Sequence, residues 1–181
     1  MLTPATLFRD SNHVPITTDG IVSSTITTTA QNLVANNTTA SNLIFNIVGS
    51  IEVRGLWGVV TTVLSSNITA AFYRLNDQTA QPDISLNTGT VLSSAAVGSV
   101  ISRGRLAATA LTFINSSAAR ITEASAVNLQ YFSPFVLTQK TGGIQTDIEF
   151  RYTTTNTPAT GGIQFFLRWI PLSADANVIP Y

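Results

Sequence analysis

The stretch Leu43–Asp77, LIFNIVGSIEVRGLWGVVTTVLSSNITAAFYRLND, decides the fold class. It holds three apolar, β-branched runs punctuated by Gly49-Ser50 and by Ser65-Ser66-Asn67. Each run has strand length and a composition suited to a half-buried, pleated surface. The last two runs read as a β-hairpin closed by a short polar turn, with Arg74 and Asp77 where its second strand leaves the core. Alternation is imperfect between Leu43 and Leu64, as expected of strands covered on both faces.

Working outward, the same pattern continues towards the end of the chain. Val127–Thr138 is interrupted by Pro134, which predicts an edge strand or a bend. The pentapeptide TGGIQ opens both Ile144–Thr153 and Ile163–Ile170, and reads as one turn-to-strand solution used twice. Pro171 stops the last strand, and LSADANVIPY reads as a tail. Towards the beginning, the Thr-rich Ser24–Ala30 suits an edge strand and Asn36-Asn37-Thr38-Thr39 a loop. Ile84–Leu92 reads as a short strand pair or a bulged strand. Val97–Ser102 and Leu106–Ile114 read as strands about a loop at Arg103-Gly104-Arg105, although Ala107, Ala108 and Ala110 also suit a short helix. The tally of eight to ten short strands predicts an all-β, antiparallel β-sandwich, more narrowly a jelly roll. Residues 1–20, with Pro4, Pro15 and Asp19-Gly20, read as an extended N-terminal arm, and 21–181 as a single domain.

Polarity without charge is the unusual feature of composition. Charged residues are 10% of the 181, against about 25% in an ordinary soluble domain. The net charge is zero, and Lys140 is the single lysine beside eight arginines, which argues against a nucleic-acid partner. A monomer with so little charge risks association, so the composition predicts a surface covered by other chains. Without cysteine there is no disulfide framework or thiolate metal site. Neither a secretory leader nor a membrane-spanning apolar run is apparent, and no membrane association is expected. The sequons at Asn36, Asn37, Asn67 and Asn115 follow from Asn/Thr richness.

Few residues invite chemistry, and no cofactor or metal is expected. His13 is the single histidine and lies in the arm, where a contact role suits it better than a triad. Asp147 and Glu149 fall two apart on a strand, hence on one face, and read as a solvated stripe answered by Arg151 or Arg168 rather than as paired catalytic carboxylates. Asp10, Asn12 and Asp19 lack calcium-loop spacing. Trp57 and Trp169 suit a core or a sugar-stacking platform. Candidate partner contacts are Leu7, Phe8, Arg9 and His13 in the arm, with Arg103 and Arg105 in a loop reaching a neighbour's carboxylate.

GSIEVRGLWGVVTTVLSSNITAAFYRLND and FFLRWIPLSADANV resemble segments of the Ser/Thr-rich structural proteins of tailed double-stranded DNA phages. The likeness covers residues 45–77 and 160–178 and is one of texture rather than of an invariant motif. It implies a small β-sandwich virion protein, and foremost a capsid decoration (cement) protein. Such a protein is made in the host cytoplasm, forms a homotrimer and binds the major capsid protein on the outer surface of the shell. The alternative is the carbohydrate- or receptor-binding head of a spike or fibre, marked by exposed aromatic rings beside Asn or Asp. The resemblance carries no catalytic residues, and none are expected.

Overall fold

A computed structural model describes residues 24–33, 35–36, 38–65, 68–86, 92, 94–103, 110–114, 132–155 and 158–181. The described chain is built of strands. β1 (Ser24–Thr27), β2 (Gln31–Asn32), β3 (Ala35–Asn36) and β4 (Thr39–Val48) lead to β5 (Ser50–Thr62) and β6 (Ile68–Asn76). β7 (Val100–Ser102), β8 (Thr112–Ile114) and β9 (Phe135–Thr138) follow, then β10 (Asp147–Thr154), β11 (Pro158–Ala159), β12 (Gly162–Pro171) and β13 (Asn177–Pro180). The all-β, antiparallel sandwich expected from the sequence is the observed architecture.

The larger sheet runs β1-β12-β5-β7-β8, with β2 also on β12 and β9 also on β5; the smaller runs β13-β4-β10-β6. Residues 82–85 extend the smaller sheet beyond β6: Leu75 N donates to Pro82 O at 2.9 Å, Ile84 N donates to Tyr73 O at 2.8 Å, and Arg74 faces Asp83 antiparallel. Taking β1, β4, β5, β6, residues 82–85, β9, β10 and β12 as successive strands gives a nested set. The first pairs with the eighth, the second with the seventh, the third with the sixth and the fourth with the fifth. These eight segments thus form one antiparallel ribbon whose strands are shared between the two sheets.

Gly49 makes the first fold in that ribbon. Its φ of +64° turns the chain from β4 in one sheet to β5 in the other, a backbone region in which a Cβ is disfavoured. The corner is closed by Gln139 N donating to Gly49 O at 2.7 Å and Ser50 N donating to Ser173 Oγ at 2.9 Å. The hairpin predicted for the second and third runs, across Ser65-Ser66-Asn67, is not formed. β5 and β6 are consecutive, but they belong to opposite sheets.

The core lies between the layers. Tyr73 of β6 and Phe150 of β10 meet Phe165 of β12, with ring centroids 6.1 and 5.0 Å apart. All three rings are fully buried, each contributing on the order of 2–3 kcal/mol. The Tyr73 hydroxyl crosses the sandwich to donate to Ile101 O at 3.1 Å, and burial pushes this phenol's pKa far up.

Two expectations for the latter part are corrected. The segment read as a tail contains β13, which pairs with β4, placing Val178 in the core and Ile179 outside. The TGGIQ copies are not one solution: Gly142 and Gly143 form an open turn at φ +88° and +71°, whereas Gly162 already lies in β12. β9 begins one residue after Pro134, and among the described residues β1, formed over the first part of Ser24–Ala30, pairs only with β12, as an edge strand does.

Candidate functional site

Arg103 is not on an exposed loop. It follows β7 and is 5% exposed, so its placement on an exposed loop is corrected. Its Nε donates to Ile84 O at 2.8 Å and its Nη1 to Ser133 O at 3.0 Å. The guanidinium lies over Phe135 and Phe132, 4.1 and 5.1 Å from the ring centroids. The side chain thereby ties the outer strand of the smaller sheet to the start of β9 in the larger. Burial lowers its pKa to about 10, which still leaves it charged at neutral pH.

Arg103 also lines a pocket of about 210 Å³ between these two edges. The other walls are Leu75, Pro82, Ile84, Phe135 and Leu137, with exposed Asp83 at the rim. Among the described residues the ion pairs are Arg54–Glu52, Arg74–Glu149 and Lys140–Asp77, so Arg103 has no carboxylate within 4.0 Å.

A second depression, of about 320 Å³ and polar, lies beside β13. Asn46, Gln139, Gly143, Gln145, Ile179 and Tyr181 line it. Asp147 anchors it from β10. The carboxylate accepts from Asn46 Nδ2 at 2.9 Å and from the Tyr181 hydroxyl at 2.8 Å, while Gln145 Nε2 donates to that hydroxyl. Partial burial and then the bond to Asp147 raise the Tyr181 pKa. Tyr181 as a residue remains 41% exposed, and it shares the depression with three side-chain amides. Sequence reasoning missed this group because it took residues 172–181 for a tail. The alternation of inward Val178 and outward Ile179 was the available signal.

The carboxylates expected to form a solvated stripe are buried, Asp147 at 4% and Glu149 at 2%. Glu149 is answered by Arg74, directly opposite it on β6, and not by Arg151 or Arg168. Trp169 is buried. Trp57 is half-buried and stacked on Phe166 at 5.4 Å and 3°, so neither indole stands free as a platform. Leu7, Phe8, Arg9, Asp10, Asn12, His13, Asp19 and Arg105 lie outside the described residues. Among those described, no group of three His, Asp or Glu side chains is arranged to hold a metal ion. No protein-family model, curated protein or solved structure matches the chain.

Proposed function

We propose that this chain is a non-enzymatic virion structural protein, a decoration subunit that binds the outer surface of a phage capsid as a homotrimer. The outward face of the larger sheet carries this reading. Alternation and register put Thr25, Thr27, Gln164, Phe166, Trp57, Val59, Val100, Ser102, Val136 and Thr138 on it. Hydroxyls, valines and one stacked aromatic pair dominate, and charge is confined to the end holding Glu52, Arg54 and Arg168. Depletion of charge around an aromatic centre is the composition of an interface core, and the partner proposed for it is a different face of a second copy of this chain, as a three-fold ring requires. The nested strand pairing supports a jelly roll, an architecture shared by capsid and lectin domains. Light scattering tests the proposal. The expected mass is that of three 19.2-kDa chains, falling to one in Val59→Arg. A wild-type monomer that does not sediment with capsid shells refutes it.

The Tyr181 depression favours a second reading, a glycan-binding head. Amides and a carboxylate satisfy sugar hydroxyls, and an exposed ring stacks on a sugar face. Loss of glycan-array binding in Tyr181→Ala, with an unchanged circular dichroism spectrum, supports that reading; no wild-type binding refutes it.

A further inference from the structure

We propose that the pocket at the edge of the sandwich binds a carboxylate carried on a compact apolar body, with the Arg103 guanidinium as its anion receptor.

The argument begins with the donor count. A guanidinium has five N–H groups, and the two hydrogen bonds to Ile84 O and Ser133 O use two of them. Nη2 has no hydrogen-bond partner among the described residues. It is not sealed either, because Trp169 Nε1 is the buried side-chain polar atom without a partner among them. Nη2 is therefore not sealed from solvent, and Arg103 is one of the residues that line the pocket. One N–H on Nη1 and those on Nη2 are left over for the oxygens of a carboxylate.

The setting strengthens that capacity. The guanidinium is held by two carbonyls and two rings, so its orientation is fixed before a ligand arrives. Its charge is nearly removed from water without a countercharge among the described residues, a state that a bound anion improves. Among the described residues, five apolar side chains share the wall with it. A volume of about 210 Å³ exceeds the ~150 Å³ cavity that holds benzene, leaving room for a ring and a carboxylate.

Two sources offer this chemistry, a free organic acid and the carboxyl terminus of a chain ending in an apolar residue. The test is titration of the ¹⁵N-labelled protein with phenylacetate, followed by amide chemical shifts. The expected shifts cluster at residues 75, 83–84, 103, 135 and 137. Phenylacetamide, of the same shape but uncharged, is expected to bind at least tenfold more weakly, a comparison independent of how any variant folds. Arg103→Gln, where its spectrum stays dispersed, is expected to remove the preference for the acid. A short peptide ending in phenylalanine identifies the source. Binding at least tenfold tighter than phenylacetate, and lost on amidation, assigns a chain terminus; the reverse order assigns a free acid. Equal binding of acid and amide overturns the proposal. So do shifts centred elsewhere, or no binding of either phenylacetate or the peptide.

Discussion

Replacing Arg74 by methionine isolates the energetics of a charge pair set into a sheet. Arg74 and Glu149 face each other across β6 and β10, and both guanidinium Nε and Nη2 reach Glu149 Oε1, at 2.8 and 2.6 Å. The two residues are 9% and 2% exposed, so water screens neither well. Methionine keeps the stem and removes the cation, leaving the carboxylate desolvated and unanswered. Breaking a buried pair from one side costs about 3–5 kcal/mol. For a chain of this size each kcal/mol shifts the melting temperature by about 2–4 °C, so a fall of roughly 6–20 °C is expected. Arg74→Met/Glu149→Leu removes both charges together and is expected to lie between neutrality and about 4 kcal/mol of added stability. Urea unfolding of the wild type, both single variants and the double variant gives the coupling directly, provided the slope with denaturant stays constant. A cost for Arg74→Met below about 1 kcal/mol, the worth of an exposed pair, refutes the reasoning.

Two glycines with left-handed backbone should respond differently to alanine. At Gly49 a new Cβ meets Ser173 Oγ at 2.5 Å and Asp175 Oδ1 at 2.7 Å, whereas at Gly142 it meets nothing within 4 Å. Gly142→Ala is expected to cost about 1–2 kcal/mol from backbone alone, and Gly49→Ala clearly more in the same urea assay; equal costs contradict the corner described at Gly49. Asp77 accepts from the backbone N–H groups of Ala80 and Thr79, which with its other contacts lower its pKa from 3.8 to about 2. Because the folded value is the depressed one, the turn's stabilisation is complete above about pH 4 and is lost as pH falls towards 2. Acid titration of the Thr79 and Ala80 amide shifts reads this, and a midpoint near 3.8 rejects it.

What the sequence made legible was the strand content, because β-branched runs and Gly, Pro and Ser-Asn punctuation act locally. Gly49-Ser50 marked a break, yet nothing local distinguishes a hairpin turn from a corner between layers. That choice depends on β9, β12 and residues 173–175, which close around Gly49 from far along the chain. Arg103 failed for a related reason. Beside Gly104 and Arg105 it has the surroundings of a surface loop, and its burial comes from Phe132 and Phe135, about 30 residues away. Asp147 and Glu149 were placed on one face, as the period of two requires, but the Arg74 that buries one of them is set by register across the sheet. The Tyr181 group needed β13 to be seen as a strand, and a four-residue segment ending in proline gives little period to read.

The nested pairing has a consequence for how this protein is made. β4 and β5 leave the ribosome roughly a hundred residues ahead of β10 and β12, the strands that lie beside them. Until then, β4 and one edge of β5 lack their partners, although β7, about 40 residues beyond β5, pairs with its other edge sooner. Such a topology folds slowly and after synthesis rather than during it. In the interval the nascent segments are exposed to one another on neighbouring polysomes, so yield should depend on expression rate and chaperone supply more than on the stability of the finished molecule.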